Sequence, residues 1–413
     1  MKQFILLFVS LVLMTGLTAQ DLSSPDNNFQ LTVSLNDQGI PFYSLRYKEQ
    51  DILKAGRLGL KLSKEPSLDK GFEIVSNNKN SKKENWTPVW GEEKSIQNQY
   101  NELEWKLRRS GDQPIEMIIR FRLFNDGLGF RYEFPRQHSL AYFDVMDELT
   151  QFALAGDHKV WWIPGDYDTN EYSYTNTRIS TINASEKTNA QEIFARSPIG
   201  NDVVQTPLMM KADNGIYINI HEAGLVDYSA MQLRAEKDRL ILNAMLVPDP
   251  LNVKAHLQTP CNTPWRTIIV SDDARRILMS RMILNLNEPC KFKSTSWIKP
   301  QKFIGIWWDM HVGKSTWNYS DTTNLKLKDA KWSSLKANGK HGATTARTKK
   351  LIDFASRNGF DGVLVEGWNI GWEDWFGMMK EDVFDFVTPY PDFNVKELSK
   401  YARDHNVRMI MHH

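Results

Sequence analysis

The chain has 413 residues, of which 41% are hydrophobic and 24% are charged, and this length is enough for two or three domains with buried cores. Its 51 basic and 50 acidic residues leave a formal net charge of +1, which excludes the basic surface typical of nucleic-acid binding and a long acidic tail. The sequence has no P-loop, Rossmann fingerprint, serine elbow or HExxH motif, which argues against nucleotide, esterase and zinc-protease functions. Its 14 tryptophans favour a carbohydrate-handling surface.

The first twenty residues predict a signal peptide. Lys2 precedes an apolar run at 4–14, and small residues follow up to Ala19. A membrane anchor is the alternative, but the run is shorter than the roughly 20 residues that a spanning helix needs. We therefore expect an exported protein, with no membrane span after removal of residues 1–20.

Residues 21–290 predict an N-terminal β-sandwich domain. Several segments alternate apolar with polar residues and are separated by Asn-Asp-Gly, Asp-Asn-Gly or glycine-rich turns, which is typical of antiparallel strands joined by hairpins. These segments lie at 29–37, 117–134, 214–223 and 265–273.

An acidic and aromatic stretch at 161–174 has two interpretations. Asp166, Asp168 and Glu171 supply oxygen ligands at a density that suits Ca²⁺, and the neighbouring Tyr and Trp rings suit a sugar face. The alternative is a solvated acidic loop whose aromatic residues cover the core. The spacing does not match an EF-hand, so the pattern leaves both interpretations open.

Two residue pairs also allow more than one interpretation. His221 and Glu222 end a predicted strand, and a satisfied structural pair is expected there. Cys261 and Cys290 are the only cysteines, and they either form a disulfide or remain free thiols. Neither has a second ligand at metal-site spacing.

After a linker at 291–301, residues 302–413 predict alternating strands and helices. Such alternation indicates a parallel sheet, here the first three strands of a truncated (β/α)₈ barrel. Thr345 is expected to cap the first helix, with Leu351, Phe354 and Ala355 near one face, and Asn394 to cap the second helix in a capping box with Glu397. The predicted strands are 303–310, 361–368 and 407–411, and the predicted helices are 346–359 and 395–406.

Polar and aromatic residues collect at the ends of these three strands. In a barrel the strand ends converge on the face that carries the active site. Tryptophan and carboxylate together suit sugar hydrolysis, although tryptophan also fills barrel interiors. The residues are Trp307, Trp308 and Asp309, then Glu366 and Trp368, then His412 and His413. A complete barrel needs about 250 residues, so we expect part of the active site to lie in a longer protein.

The sequence resembles glycoside hydrolase family 97, especially its exported starch-utilisation α-glucosidase branch. Long blocks carry this resemblance: SPDNN (24–28), PVWGEEK (88–94), RFRLFNDGLGFRYEFP (120–135), WIPGDYDTNEY (162–172), QTPCNTPWRTIIVSDDAR (258–275), GIWWDM (305–310), LVEGWN (364–369), WEDWFG (372–377) and FDFVTPYPDF (384–393).

The resemblance implies a calcium-dependent glycosidase of the bacterial periplasm, with an N-terminal β-sandwich and a catalytic barrel. It assigns Glu171 as a Ca²⁺ ligand, Trp307 to a sugar subsite and His412 to substrate contact beside His413. The general acid, the remaining calcium glutamates and the inverting base would all lie beyond His413, so no catalytic residue is assigned within this chain and the isolated piece is expected to be inactive. The resemblance favours an inverting α-glucosidase acting on malto-oligosaccharides. A retaining α-galactosidase of the same family, or a non-catalytic carbohydrate-binding protein, is the alternative.

Overall fold

A computed structural model describes residues 19–64, 66–185, 199–325, 331–374 and 383–411. The described residues divide into two compact units, with the boundary between Lys291 and Phe292. The predicted signal peptide falls almost entirely outside the described residues, as do His412 and His413. No helix within the described ranges is long and apolar enough to cross a membrane.

The first unit consists mainly of antiparallel strands. Two short helices, α1 (Ala274–Met279) and α2 (Met282–Leu286), follow its last strand. The strands are β1 Gln20–Ser23, β2 Phe29–Leu35, β3 Pro41–Tyr47, β4 Gln50–Arg57, β5 Leu60–Leu62, β6 Phe72–Trp86, β7 Ile96–Arg109, β8 Ile115–Phe124, β9 Gly127–Phe134, β10 Tyr142–Glu148, β11 Gln151–Ala153, β12 Lys159–Trp162, β13 Thr175–Arg178, β14 Val203–Gln205, β15 Leu208–Lys211, β16 Tyr217–Ala223, β17 Met231–Glu236, β18 Ile241–Leu246, β19 Ala255–Gln258, β20 Cys261–Asn262 and β21 Trp265–Ser271.

These strands form four sheets within the described residues. Their orders are β1-β2-β3-β4, β19-β10-β5, β11-β18-β17-β14, and a long sheet β13-β12-β15-β16-β21-β9-β8-β7-β6 in which β20 also pairs with β9. One apolar core draws buried side chains from all four sheets. Burial alternates along β2, β8 and β16, because every second side chain of these strands enters the core.

The hairpin expected within 117–134 is confirmed. β8 and β9 pair antiparallel, with Phe124 opposite Gly127 across the Asn125-Asp126 turn. Gly127 is needed for close approach, because a Cβ there would lie 2.1 Å from the carbonyl oxygen of Ile268 on β21.

The second unit carries a three-stranded parallel sheet in the order β22-β23-β24. A long helix lies in the chain between each pair of successive strands, as the alternation predicts. The elements are β22 Phe303–Gly305, α3 Trp308–His311, α4 Thr345–Asn358, β23 Gly362–Val365, α5 Val395–Asp404 and β24 Arg408–Met411. Two single 3₁₀ turns, Ile179–Thr181 in the first unit and Trp332–Ser334 in the second, complete the regular structure of the described residues.

Four local predictions for the second unit are wrong in detail. The strand expected to reach residue 310 ends at Gly305, because Trp307 adopts helical backbone angles and its carbonyl accepts from Met310 and His311. Thr344, and not Thr345, caps α4, since its Oγ1 accepts from the Arg347 N–H (3.2 Å).

The buried face of α4 also differs from the predicted one. It consists of Thr348, Ile352 and Ala355, whereas Phe354 is 45% exposed. The helix ends, as expected, at Gly359 in the left-handed conformation. Asn394 caps α5 as expected, since it accepts from the Glu397 N–H (3.1 Å). The predicted capping box is not formed: the Glu397 carboxylate accepts from the Asn394 side-chain amide (3.2 Å), and the Asn394 backbone N–H donates to Thr345 Oγ1 (2.8 Å).

Candidate functional site

Two of the residues predicted at the strand ends, Trp307 and Glu366, belong to one aromatic cluster of the second unit. The ring of Trp307 lies against His311, with centroids 3.6 Å apart, and His311 meets Trp317 edge-on at 5.3 Å. Trp317 in turn stacks near-parallel on Trp372 at 6.3 Å. The indole Nε1 of Trp317 donates to Glu366 (3.4 Å), so this row of rings connects Trp307 with Glu366.

Exposure separates the rings that can contact a ligand from those that form the core. Trp317 and Trp372 are each 6% exposed and Trp368 is 2% exposed, so these three are packing residues. Trp308 is 67% exposed and Trp307 is half-buried. Stacking on a pyranose needs an open ring face, and Trp308 offers a larger exposed surface than Trp307.

The loop after β23 is held by two consecutive carboxylates. Glu373 accepts from the backbone N–H groups of residues 319 and 320 (3.1 and 3.0 Å) and from the Tyr390 hydroxyl (2.5 Å). Asp374 accepts from the N–H groups of residues 324 and 325 (2.6 Å each). Burial and the adjacent Glu373 raise the pKa of Tyr390, which keeps its hydroxyl a donor. The sequence analysis noted the WEDWFG block but not this role.

His341 fixes the turn that follows Glu366. Its Nε2 lies 2.8 Å from the Gly367 carbonyl oxygen, which only accepts, and its Nδ1 lies 2.9 Å from the Asp392 carboxylate. Gly367 has φ +76°, and a Cβ there would lie 3.2 Å from the backbone of Trp317. Neither His341 nor Trp317 was among the predicted site residues, although both lie in the segment between β22 and α4, which follows a strand end.

The acidic stretch of the first unit forms a loop between β12 and β13, and its three carboxylates differ in surroundings. Asp166 is 3% exposed and accepts from the N–H groups of Asp168 (2.7 Å) and Thr169 (3.1 Å) and from the Tyr172 hydroxyl (2.6 Å). It is therefore a structural carboxylate. Asp168 and Glu171 are exposed.

Glu171 offers the type of ligand that calcium requires, an accessible carboxylate with hard oxygen donors. The described part of the chain contains no group of three or more His, Cys, Asp or Glu residues that could hold a metal. Glu171 is therefore suited to be one ligand of a calcium site, and the described residues do not group it with two further His, Cys, Asp or Glu ligands.

Neither of the other two predicted pairs forms a bond between its members. His221 and Glu222 alternate on β16 and do not bond each other: the His221 ring lies 3.2 Å from the Thr206 hydroxyl, and Glu222 accepts from Arg266 (2.6 Å). Burial lowers the pKa of His221. Cys261 and Cys290 are free thiols, and burial raises the pKa of Cys261 to about 11.

Comparison with known proteins defines the family of this chain, which combines a β-rich unit with a parallel α/β unit. The model described as "Glycosyl-hydrolase 97 N-terminal" matches residues 22–289, and that described as "Glycoside hydrolase 97" matches 307–413. The chain belongs to glycoside hydrolase family 97, as the sequence motifs predicted.

Similar proteins include a family 97 enzyme from Pseudoalteromonas sp. strain K8, solved in complex with acarbose. It is 35% identical, with a TM-score of 0.76, over 95% of this chain and 54% of that one. A variant of the same enzyme in complex with panose gives a TM-score of 0.77. A retaining α-galactosidase of Bacteroides thetaiotaomicron is 23% identical over 444 residues, which cover all of this chain and 58% of the relative. The chain thus spans little more than half the length of these proteins.

Proposed function

We propose that this chain is part of an exported, inverting α-glucosidase that releases glucose from malto-oligosaccharides. The observation that carries the proposal is a contrast in similarity. The chain is 35% identical to an enzyme solved with acarbose and with panose, but only 23% identical to a retaining α-galactosidase. Panose is a trisaccharide of α-linked glucose units, so the nearer of these two relatives holds a glucoside.

Residues 302–413 are interpreted as the first three strands of a (β/α)₈ barrel. The parallel order β22-β23-β24, with α4 and α5 between successive strands, supports this interpretation. In a barrel the loops after each strand build the substrate site. Trp307 and Glu366 would then line sugar subsites, with His412 and His413 at the end of the third strand.

The residues of this chain bind and orient substrate in this proposal, and proton transfer belongs to carboxylates beyond His413. Inversion needs an acid at the glycosidic oxygen and a base that activates water on the opposite face, about 6.5–9.5 Å apart. A bound Ca²⁺ would supply Lewis-acid polarisation. Glu171 would hold it through a carboxylate oxygen.

A retaining α-galactosidase is the second candidate, because two curated relatives at 22–23% identity are named retaining α-galactosidase and probable retaining α-galactosidase. Assays of the full-length enzyme on p-nitrophenyl α-glucoside and α-galactoside, with NMR detection of the first sugar anomer, separate the two. Preference for the glucoside with β-glucose released first supports the proposal. Preference for the galactoside with the α-anomer released first supports the alternative. Binding of maltose without turnover of either substrate would indicate a carbohydrate-binding protein.

A further inference from the structure

Two buried glutamines on neighbouring strands form hydrogen bonds to the backbone of the loop between β12 and β13. Gln205 on β14 and Gln232 on β17 are register partners in an antiparallel pair, so their side chains lie on the same face of the sheet. They are 9% and 6% exposed. A buried amide is costly unless its hydrogen bonds are made, so the partners of these two groups indicate why they are present.

The amide donors of both glutamines are directed to the loop backbone. Gln205 Nε2 donates to the carbonyl oxygens of Pro164 (3.0 Å) and Thr169 (2.7 Å), and Gln232 Nε2 donates to that of Asp166. Among the described residues, the buried Oε1 of Gln232 has no hydrogen-bond partner. An apolar side chain would avoid the cost of burying an unpaired oxygen, so the Nε2 donor explains why a glutamine stands at this position.

The loop also fits closely onto the glutamine pair. Gly165 allows this approach, since a Cβ there would lie 2.5 Å from the Val203 side chain and 2.7 Å from Gln232 Oε1. Gly165 N–H donates to the Val203 carbonyl (2.8 Å), and the Gln205 N–H donates to that of Ile163 (3.2 Å). The start of the loop therefore pairs with β14 in the manner of an additional antiparallel strand.

The fixed part of the loop ends just before its exposed carboxylate. Thr169, whose carbonyl Gln205 holds, accepts from the Glu171 N–H through its own hydroxyl (3.1 Å). Tyr172, on the other side, is buried and bonded to Asp166. Glu171 lies between these two anchored residues and is exposed.

We propose that Gln205 and Gln232 are positioning residues that preset the loop so that Glu171 can bind a divalent cation. This inference rests on the proposed calcium role of Glu171. Partners that orient a metal ligand usually affect metal affinity by about 10- to 100-fold when they are removed. The glutamines would act in the same way, although they contact the loop backbone and not the ligand itself.

The test measures Ca²⁺ affinity of the full-length enzyme by titration calorimetry, together with thermal melts without calcium. Gln205→Leu and Gln232→Leu remove the donors and keep an apolar side chain of similar size. We expect each to weaken Ca²⁺ binding about 10-fold or more. Hydrogen exchange of the amides at 168–171 in the calcium-free enzyme should become faster in both variants. Gly165→Ala, which keeps both glutamines but lifts the loop, should give the same two changes and covers the case in which a Leu variant does not fold.

Tyr132→Phe is the matched control. It removes buried hydrogen bonds to Thr150 and to the Gly59 N–H in the same unit, away from the loop. It should lower the melting temperature and leave Ca²⁺ affinity unchanged. If Glu171→Gln weakens Ca²⁺ binding while the Leu and Gly165→Ala variants bind as the parent does, the positioning role is wrong and the calcium role stands. If the parent itself does not bind Ca²⁺, both are wrong.

Discussion

A buried ion triad in the first unit gives the sharpest stability prediction. Arg266 donates to Glu148 through Nε (2.8 Å) and Nη2 (2.6 Å), and to Glu222 through Nη1 (2.6 Å). The three side chains are only 1%, 0% and 7% exposed. Burial alone would lower the pKa of Arg266, but the two carboxylates outweigh it and hold that pKa above its ordinary value.

Arg266→Met should therefore destabilise the first unit strongly. It leaves two buried carboxylates without a cation, and breaking a buried pair in this way costs about 3–5 kcal/mol. The loss would be measured by urea unfolding at pH 7, followed by tryptophan fluorescence. Adding Glu148→Gln and Glu222→Gln should recover part of the loss, because the uncompensated charges are then absent.

Arg275→Met is the matched control for this prediction. Arg275 also pairs with a carboxylate, that of Asp273 (2.7 Å), but its side chain is 86% exposed. Exposed pairs contribute less than about 1 kcal/mol. If Arg266→Met costs no more than Arg275→Met, the triad does not stabilise the fold and the reasoning from burial fails.

Three further predictions concern both units. Trp307→Ala should raise the Michaelis constant of the full-length enzyme on maltose and cost clearly less stability than Trp317→Ala, for which we expect about 3–5 kcal/mol; a larger stability loss at Trp307 with normal kinetics would make it a core residue. Glu373→Gln should lower the free energy of unfolding by about 1.5–3 kcal/mol, as expected for hydrogen bonds to a charged group. A double-mutant cycle with Tyr390→Phe, measured by urea unfolding, should show coupling between the two residues; additive losses would contradict a stabilising bond between them. Burial lowers the pKa of His221 from its ordinary 6.5, so the stability present above pH 6.5 should be lost as the pH falls through the lowered value; His221→Asn should flatten this dependence in melts from pH 8 to 5, and an unchanged slope would assign it to other groups.

Local sequence chemistry predicts the second unit well except where tertiary packing intervenes. Asn394 and Gly359 identify helix ends because caps depend on neighbouring residues only. The segment after Gly305 fails because its tryptophans favour a strand by propensity, whereas here Trp307 packs on His311 and starts a helical turn. Met310 of that turn is buried in the core of the unit and Asp309 pairs with Arg347 on α4, so the choice also depends on residues distant in sequence.

The same limit applies to the acidic loop of the first unit. Its composition identifies it as a candidate calcium or sugar site, but three similar carboxylates in the sequence have different surroundings in the fold. Asp166 turns inward to bond its own loop, and Glu171 remains accessible. Gln205 and Gln232 give no sequence indication of their contacts, because one glutamine in a short strand looks like an ordinary polar residue.

The loop is bonded to the core of the unit as well as by its own turn residues. Glu222 accepts from Arg266 and also from the N–H of Met231 (3.1 Å), the residue at which β17 begins. Gln232 is the next residue, and it bonds the loop at Asp166. Hydrogen bonds at Met231 and Gln232, two adjacent residues of β17, thus connect the buried triad with the loop. If this connection transmits strain, Arg266→Met should weaken Ca²⁺ binding as well as folding, whereas Tyr132→Phe should affect folding alone. Equal Ca²⁺ affinity in the folded fraction of Arg266→Met would show that the glutamines hold the loop without help from the triad.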